Sequence, residues 1–454
     1  MSLEFPPITR RLKPEVLAPA GNLATVKTAI DFGADAVYCG GKAFGMRSAP
    51  QNLSLEDFEE AVAYAHARDA RIFVTCNILP TNDEIDAMNS YMGQLGEIGV
   101  DALIVSDIGV LMAARRVAPH VEVHVSTQAG ITNYQAANAF AALGASRVVL
   151  ARELDIEAIR GIRAHVPDDL EIEAFVHGSM CMAFSGRCLI SQHLTGRDAN
   201  HGDCAQSCRW KYHVVEEKRP GQFIPVEVTD GGTFLFNSHD MNVLAHVDEI
   251  LDAGVTSLKI EGRAKSAYYV AAMANAYKTA VNEFMIQRGF EDEAGRPLRP
   301  FTSAAQPSSA QGGSAVTLPE WLLAEPDKVT HREYSTGFYY PEQPAGENIM
   351  VGGYINEWRW VGDVLGYDEA NARLHIYAKN KISPGMDIEF LFPGHAPIVL
   401  RVPDQGLLDE AGEPVAEINH PAHEFSLPCD QAIPRGAMIR ARLRARTLPV
   451  SAAS

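Results

Sequence analysis

The first 290 residues repeat one pattern, and this pattern constrains the fold more than any other feature of the chain. A short apolar run rich in β-branched residues is followed by a glycine or polar loop, and then by a segment with alanine and leucine at helical spacing. Eight such runs predict eight parallel strands over roughly 250 residues, which is typical of a closed (β/α)8 barrel of the TIM type rather than an open sheet. The runs are EVLAPAG from Glu15, AVYCGG from Ala36, RIFVTCN from Arg71, ALIVSD from Ala102, EVHVST from Glu122, RVVLARE from Arg147, EIEAFVHG from Glu171 and SLKIEGR from Ser257.

Polar side chains follow the predicted strands. In such barrels the loops at the carboxyl ends of the strands form the active site, so these residues are candidates for it. For any one of them, capping of the next helix is the more frequent explanation, and a histidine such as His177 is more often a packed barrel residue than a catalyst. Their number favours an active site at this face. They are Asn77, Asp107, Ser126 to Gln128, Arg152, Glu153, His177, Glu261 and Arg263.

The composition changes after the long helical segment that ends near residue 287. PFTSAAQPSSAQGGSA, from Pro300, is too small and polar to form a core and predicts a flexible linker. From about residue 350, short strands separated by Gly, Pro and Asp turns predict a small antiparallel β-barrel or sandwich. The predicted domains are 1–298 for the TIM-like barrel with a cysteine-bearing insertion at 179–242, 299–318 for the linker, 319–349 for a connecting segment and 350–447 for the C-terminal β-barrel.

The formal charge of -18 speaks against a general nucleic-acid coat, because non-specific binding depends on many Lys and Arg residues that neutralise phosphates. An RNA partner would have to meet a local basic patch, and RARLRAR near the C-terminus is one candidate. Its arginines share one face if the segment is a strand, although a solvated edge strand explains them equally well. These arginines are Arg440, Arg442, Arg444 and Arg446.

The N-terminal stretch MSLEFPPITRRLKP has no apolar core of a signal peptide, and no apolar run reaches the roughly 18 residues that a membrane helix needs. We therefore expect a cytoplasmic protein with no membrane partner. Structural disulfides are rare in the cytosol, so clustered cysteines there favour metal binding or redox chemistry over cross-linking.

Four of the seven cysteines fall within 28 residues, at the spacing C-x6-C-x15-C-x3-C. Four thiolates can surround one tetrahedral zinc ion or bind the corners of an iron-sulfur cluster, and spacing alone does not decide between them. Paired C-x2-C motifs, which structural zinc favours, are absent, and this moves the interpretation modestly toward iron-sulfur. Arg187 and Arg209 lie next to two of the cysteines and would balance the charge of a thiolate-bound cluster. The four cysteines are Cys181, Cys188, Cys204 and Cys208.

A cysteine nucleophile is a third reading of the cluster. It needs a histidine base within hydrogen-bond reach, and His177, His193 and His201 are near in sequence. One nucleophile does not explain four clustered thiols, however. The chain also contains neither an H-E-x-x-H nor a G-x-S-x-G motif.

The stretch EAFVHGSMCMAFSGRCLIS, residues 173–191, resembles the signature of the collagenase-like peptidase family U32, E-x-F-x-x-G-S-x-C-x4-G-x-C-x-x-S, and matches it fully. VLAPAGN, DAVYCGG, FNSHDMN, LKIEGR and HREYSTGFYY are also similar to blocks of that family, so the resemblance runs from about residue 14 to 445. The additional pair in CAQSCRW resembles the subgroup that hydroxylates uridine in tRNA with prephenate.

The resemblance implies an enzyme, but the family label of peptidase does not describe the reaction of every branch. Several branches of the family act in oxygen-independent hydroxylation of RNA bases or quinone precursors, and they have, or are thought to have, a [4Fe-4S] cluster. It implies that the four clustered cysteines are the ligands of such a cluster. The assignment of Cys208 as fourth ligand rests on the tRNA subgroup alone, because in the quinone branch this ligand lies near the block that here reads NSHDMN.

The preferred hypothesis is therefore a tRNA-modifying enzyme that performs 5-hydroxylation of the wobble uridine with prephenate as the implied hydroxyl source. Iron-sulfur assembly and electron-transfer proteins would be its further partners. The two carboxylates of prephenate call for arginine or lysine forks. Candidate residues for substrate binding are Asn77, Arg152, Arg187, Arg440 and Arg442, and candidates for catalysis are Glu173, His177, Glu261 and Arg263.

Two alternatives stay open. The first is a peptidase, for which the family label is the main support. The second is a non-catalytic RNA-binding factor in which zinc stabilises the insertion.

Overall fold

The computed structural model describes residues 14–45, 52–181, 183–184, 187–210, 239–304, 315–342 and 354–443. These residues divide into two compact units. The barrel unit comprises the described residues up to Leu323 together with those of His331–Tyr354, and the C-terminal unit comprises Ala324–Thr330 and the described residues from Ile355 onward. The predicted linker and connecting segment at 299–318 and 319–349 lie partly outside the described residues, and the predicted boundaries stay predictions.

Eight parallel strands close the barrel, as predicted. β1 to β7 pair in chain order, and β9 pairs with both β1 and β7, all in parallel. Two short strands extend the sheet outside the barrel, with β8 antiparallel to β7 and β10 parallel to β8. The strands of this sheet are β1 (Glu15–Ala20), β2 (Ala36–Gly40), β3 (Arg71–Cys76), β4 (Ala102–Val105), β5 (Glu122–Val125), β6 (Arg147–Val149), β7 (Glu171–Ser179), β8 (Asp240–Asn242), β9 (Ser257–Ile260) and β10 (Tyr334–Ser335).

Helices connect the strands, and most begin at a polar residue that caps the free N–H groups of the first turn. Asn22, Asn133 and Asp155 each accept a hydrogen bond from such an N–H, and Ser54 forms a reciprocal capping box with Asp57. The α-helices of the described residues are α1 (Leu23–Asp31), α2 (Leu55–His66), α3 (Ile85–Ile98), α4 (Ile108–Val117), α5 (Tyr134–Ala142), α6 (Ile156–Arg163), α7 (Ile190–Thr195), α8 (Val247–Asp252), α9 (Ala267–Gln287) and α10 (Glu320–Leu323).

The barrel interior has an apolar side and a charged side. Strands β1 to β4 contribute a buried apolar cluster, which consists of Leu17, Ala36, Tyr38, Phe73, Ala102 and Ile104. At the amino ends of the strands lies an ion-pair network around Arg147, which is fully buried and bonded to three carboxylates. We call this network the barrel floor, and its members are Glu15, Arg71, Arg147, Glu171, Glu173, Ser257 and Lys259.

The C-terminal unit contains a seven-stranded antiparallel sheet in the order β14-β13-β17-β11-β12-β16-β15, so the antiparallel class predicted for this part of the chain is confirmed. One face buries an apolar cluster that includes Ile376, Phe390 and Ile439. The strands are β11 (Trp358–Asp368), β12 (Arg373–Ala378), β13 (Asp387–Leu391), β14 (Ile398–Arg401), β15 (Leu408–Asp409), β16 (Glu424–Pro428) and β17 (Met438–Arg442).

Within the described residues, no helix is both long enough and apolar enough to cross a lipid bilayer.

Candidate functional site

Polar side chains from three neighbouring strand ends join at the carboxyl face of the barrel. The amide nitrogen of Asn77 donates to the Oε1 atom of Gln128 at 2.8 Å, and the hydroxyl of Ser126 donates to the same atom at 3.2 Å. Between them, the Ser106 hydroxyl donates to the carbonyl of Asn77 at 2.9 Å. These side chains therefore link the ends of β3, β4 and β5, and we call this group the mouth cluster.

Gln128 is the central residue of the mouth cluster. It lies in the turn after β5 and is 4% exposed. Its Oε1 atom accepts two hydrogen bonds, whereas its Nε2 atom meets no acceptor in the described part of the chain. A buried amide N–H without an acceptor costs free energy, so such a group marks a place where a ligand or water is expected to bind.

Arg152 follows β6 and is also buried, at 7% exposure. Its Nη1 atom donates to the carbonyl of Ser179 at 3.2 Å, and its guanidinium lies 5.0 Å from the ring centre of Phe175. Ser179 ends β7, two residues before Cys181. Arg152 is therefore bonded to the backbone where the cysteine segment leaves the barrel.

Glu261 holds the other side of the same backbone. Its Oε2 atom accepts a hydrogen bond from the N–H of Ser179 at 3.2 Å. The preceding residue is Gly178, with φ of 106°, and a Cβ there would lie 2.5 Å from the carbonyl oxygen of Glu261. Only glycine fits this left-handed backbone position and this close approach, which gives a physical reason for Gly in the signature.

Arg263 lies at the opposite side of the barrel mouth, beside β2 and β3. Its Nη1 atom is 3.4 Å from the Thr75 hydroxyl, and a Cβ on Gly40 would lie 2.0 Å from its Nη2 atom. Arg263 is 9% exposed. The absence of a side chain at Gly40 therefore makes the space that the guanidinium occupies.

Two contacts anchor the cysteine segment on the mouth. The Nε atom of Arg187 donates to the carbonyl of Gln128 at 2.6 Å. The side chain of Asn200 pairs with both backbone groups of Cys188, each at 3.2 Å, and the carbonyl of Asn200 accepts from the N–H of Leu79 at 3.4 Å. The segment is thus attached to the turn after β5 and to the loop after β3.

All seven cysteines are free thiols. Cys39, Cys76 and Cys429 are buried, whereas the four clustered cysteines are exposed or half-buried. Burial raises the pKa of both Cys39 and Cys76 to about 12, so those two thiols stay protonated at neutral pH. The thiols that remain available as ligands are Cys181, Cys188, Cys204 and Cys208.

Donor type and number fit an iron-sulfur cluster, but the thiols are not gathered around one point. Among the residues that the structure describes, no three Cys, His, Asp or Glu side chains are placed to hold a single metal ion. A preformed zinc site, as the zinc-stabilised alternative requires, is therefore not seen in this part of the chain. A cubane cluster takes one thiolate at each of four separate iron atoms, so its ligands lie farther apart than those of one zinc ion.

Glu173 does not lie at the mouth, contrary to its predicted catalytic role. It is the third residue of β7 and is fully buried in the barrel floor. Lys259 lies 2.6 Å from its Oε1 atom and Arg147 lies 3.1 Å from its Oε2 atom. Although burial raises the pKa of Glu173, these two cations hold it below its usual range. Its carboxylate is thus used in internal ion pairs.

His177 lies in an aromatic environment on the outer side of β7 and is 1% exposed. Tyr269, Tyr277 and Tyr334 surround its ring at centre distances of 6.0, 5.7 and 5.5 Å. Its Nδ1 atom is 3.4 Å from the Tyr277 hydroxyl, and burial lowers the pKa of His177 to about 3. This is the packed, neutral barrel histidine that the sequence also allowed, and its predicted catalytic role receives no support.

The predicted basic stripe near the C-terminus does not form a common surface. Arg440 is fully buried, and its guanidinium forms a two-pronged ion pair with Glu325, at 2.6 and 2.7 Å, and a second ion pair with Glu389 at 2.8 Å. Arg442 is exposed and pairs with Glu357 at 2.7 Å. Arg440 is therefore unavailable to RNA, which corrects its predicted role in substrate binding. Arg444 and Arg446 lie outside the described residues.

The remaining sequence-predicted site residues lie at or over the mouth of the barrel, namely Asn77, Arg152, Arg187, Glu261 and Arg263. Asp107 has a purely local role, because its carboxylate caps α4 by accepting from Gly109 and Val110. The sequence places Gln128 among the strand-end candidates for the active site but gives it no specific role. The sequence does not show whether the oxygen or the nitrogen of a side-chain amide in a turn will find a hydrogen-bond partner.

Two family profiles match this chain. Peptidase family U32 matches residues 21–348, and the peptidase family U32 C-terminal domain matches residues 356–440. The chain belongs to peptidase family U32. The signature at 173–191 supplies the end of β7 and the first two clustered cysteines, so the family match includes the mouth described above.

Relatives of this chain carry names that indicate different functions. tRNA hydroxylation protein P1 of Bacillus subtilis is 35% identical over 433 residues, which are 94% of this chain and 94% of the relative. The 23S rRNA 5-hydroxycytidine C2501 synthase of Escherichia coli is 40% identical over 275 residues, 61% of this chain and 40% of the relative. A protein named collagenase, of Porphyromonas gingivalis, is 32% identical over 292 residues, 62% of this chain and 69% of the relative.

Proposed function

We propose that this chain is an RNA-modifying enzyme that hydroxylates tRNA, with the 5-position of the wobble uridine as target and prephenate as hydroxyl source. The observation that carries the proposal is the similarity to tRNA hydroxylation protein P1 over 94% of both chains. A similarity of this extent includes the barrel, the cysteine segment and the C-terminal unit together. The named rRNA hydroxycytidine synthase supports the same reaction class on a different base.

The mouth of the barrel supports this chemistry. The strand ends here provide the buried arginines Arg152 and Arg263, the carboxylate of Glu261 and, among the described residues, an amide N–H of Gln128 without an acceptor. Charged and polar groups at the carboxyl ends of barrel strands are the usual place for chemistry in this fold.

Exposed aromatic side chains on the cysteine segment support an RNA substrate. Phe184, between Cys181 and Cys188, is 51% exposed, and Trp210, two residues after Cys208, is 45% exposed. Unstacked RNA bases bind to proteins largely by stacking on aromatic rings, and an anticodon loop offers such bases. The overall charge of -18 disfavours extended contact with the phosphate backbone. Stacking of bases on aromatic side chains does not require a basic surface, so it is compatible with this charge.

We propose that Cys181, Cys188, Cys204 and Cys208 hold a [4Fe-4S] cluster. When bound, such a cluster supplies one-electron transfer or a Lewis-acid iron. Glu261 and Arg152 hold the two backbone groups of Ser179 and so fix the start of the ligand segment. Asn200 fixes the backbone of Cys188 in the same way.

The proposal is tested with protein purified under anaerobic conditions and with tRNA from cells that lack the native gene. We expect a brown protein with about four iron and four sulfide atoms per chain, as a four-iron cluster requires. We also expect that restoring the gene restores hydroxylated wobble uridine, measured by mass spectrometry of nucleosides. Colourless, zinc-loaded protein that leaves the uridine unmodified would defeat the proposal.

Single Cys→Ser variants identify the ligands. Cys204→Ser and Cys208→Ser are expected to lower bound iron and to abolish the modified base. Cys429→Ser is the matched control, because this buried thiol lies in the C-terminal unit and donates to the carbonyl of Gln431 at 3.2 Å. If Cys204→Ser and Cys208→Ser keep full iron content and activity, these two residues are removed from the ligand set.

A peptidase is the second candidate, favoured by the similarity to a protein named collagenase. Against it, neither Cys181 nor Cys188 has a hydrogen bond to a histidine within the described residues, although a cysteine nucleophile needs such a base. Cleavage of denatured collagen by the purified protein, lost in Cys181→Ser without loss of metal, would support this candidate over hydroxylation.

A further inference from the structure

In the part of the chain that the structure describes, Arg152 is a buried cation without a carboxylate partner. It is 7% exposed, its one hydrogen bond is to the neutral carbonyl of Ser179, and it forms no ion pair with any residue that the structure describes. Glu261, which holds the same residue, accepts a hydrogen bond from the N–H of Ser179. Arg152 therefore keeps most of its five N–H donors for something other than the protein.

A guanidinium in this state is unusual, because taking a charge out of water is costly unless a partner of opposite charge compensates for it. The remaining contacts of Arg152 do not provide such a charge. The ring of Phe175, whose centre lies 5.0 Å from the guanidinium, is uncharged. The Arg152 guanidinium is thus positioned by neutral groups, and an anionic ligand would compensate its charge.

A second donor lies on the neighbouring strand end. The turn that contains Gln128 is bonded to the end of β6, since the Thr127 hydroxyl donates to the carbonyl of Leu150 at 2.9 Å and the N–H of Ala151 donates to the carbonyl of Ile131 at 3.0 Å. The Nε2 atom of Gln128, on this turn, is buried and has no acceptor among the described residues. A charged fork and an amide N–H on adjacent strand ends match the needs of a carboxylate.

We infer that Arg152 and Gln128 form a subsite for a carboxylate of a small organic acid. The inference deepens the proposed function, because it names the residues that hold the acidic co-substrate of that reaction. Arg152 supplies the charge, and Gln128 donates its free amide N–H. Arg187 is set aside for this role because it is exposed, and Arg263 because its guanidinium lies beside Thr75 on β3.

The burial of the subsite selects a small acid over the RNA backbone. A phosphate in a polynucleotide is attached to neighbouring sugars on both sides, so its contacts come from exposed side chains at the protein surface. Arg152 is bonded to the carbonyl of Ser179, two residues before Cys181, and is more than nine-tenths buried. A small carboxylic acid can bind at such a position because, unlike a backbone phosphate, it is not attached to a polynucleotide chain.

The test is calorimetric titration of prephenate into anaerobically purified, full-length protein. We expect Arg152→Gln to weaken binding about tenfold or more, the usual effect of losing a hydrogen bond to a charged group. Arg152→Lys keeps the charge without the fork and is expected to bind with intermediate affinity. Gln128→Glu has nearly the same shape and places a negative charge opposite the ligand, so it is expected to weaken binding as well.

Arg116→Gln is the matched control, because Arg116 lies exposed on α4 and is expected to leave binding unchanged. Thermal unfolding of each variant checks that it is folded. Binding by Arg152→Gln within twofold of the wild type would overturn the subsite, and so would a wild-type protein that does not bind prephenate. Inorganic phosphate that displaces prephenate at equal concentration would overturn the assignment to a carboxylate.

Nucleoside analysis of tRNA from the same variants separates this inference from the proposed function. If the wild type restores the hydroxylated uridine while Arg152→Gln binds prephenate normally, the subsite is wrong and the function stands. If prephenate binding depends on Arg152 but no tRNA is hydroxylated, the subsite stands and the function is wrong.

Discussion

Arg147 and Arg152 are five residues apart, at the start and just after the end of the same barrel strand, and both are buried. Arg147 is bonded to Glu15, Glu171 and Glu173 in the barrel floor, whereas Arg152 has no carboxylate partner among the described residues. The floor satisfies its charges internally, and this serves stability. The mouth leaves a charge unsatisfied, and this is the arrangement expected of a group that binds a ligand.

The sharpest test of this contrast is Arg147→Met. It leaves three carboxylates without their shared cation, and removing one partner of a buried ion pair typically costs about 3–5 kcal/mol. We expect a large decrease in the free energy of unfolding, measured by urea denaturation. Arg116→Met on the surface of α4 is the control and should change this quantity little. A floor variant as stable as the wild type would break the comparison.

Acid should weaken the floor and reduce the cost of that substitution. Burial raises the pKa of Glu15, but Arg147 and Arg71 hold it well below its ordinary value of 4.5, and the pKa of Glu173 is lowered as well. A lowered folded-state pKa adds stability that is complete above about pH 4.5 and is lost as the pH falls below that value. The difference in unfolding free energy between wild type and Arg147→Met should therefore shrink below pH 4.5. A difference that is constant from pH 7 to pH 3.5 would contradict this assignment.

Not every polar residue at the mouth is kept for a ligand, and Asp107→Ala sharpens that distinction. Its carboxylate accepts hydrogen bonds from the N–H groups of Gly109 at 2.7 Å and Val110 at 3.0 Å, and so caps the N-terminus of α4. We expect a loss of about 1 kcal/mol in unfolding free energy with unchanged prephenate affinity. Weaker prephenate binding in this variant would show that Asp107 belongs to the ligand site.

The smallest expected effect on stability belongs to Arg152→Met. The variant loses one hydrogen bond to Ser179 but also removes a buried charge that has no carboxylate partner among the described residues, and these two contributions oppose each other. We expect the free energy of unfolding to change by less than about 1 kcal/mol while prephenate binding is lost. A destabilisation as large as that of Arg147→Met would mean that Arg152 is a structural residue after all.

Much of the fold was predictable because it depends on local periodicity. The eight apolar runs became the eight barrel strands, and the alternating runs after residue 350 became antiparallel strands. The face of the barrel that holds the candidate site was also predictable, since strand ends in a parallel barrel share one side. The cysteine segment was visible as a composition anomaly, and its signature identified the family.

Individual roles were less predictable, and the errors have a common cause. Glu173 was a candidate for catalysis, but it lies six residues before the end of β7 and pairs with Lys259 in the barrel floor. Arg440 was assigned to an exposed stripe by alternation, yet Glu325, which is 115 residues away in sequence, pairs with it in the interior. Alternation shows which residues share a face and not what covers that face.

The sequence by itself determined the (β/α)8 order, the family and the position of four thiols after the seventh barrel strand, because periodicity and spacing are local properties. Only the tertiary structure decided which buried charges are compensated. Ion pairs join residues that are far apart in the chain, such as Glu15 and Arg147 at 132 residues, so no local pattern records them. For the same reason, the uncompensated charge of Arg152 became evident only when all the strand ends had been brought together.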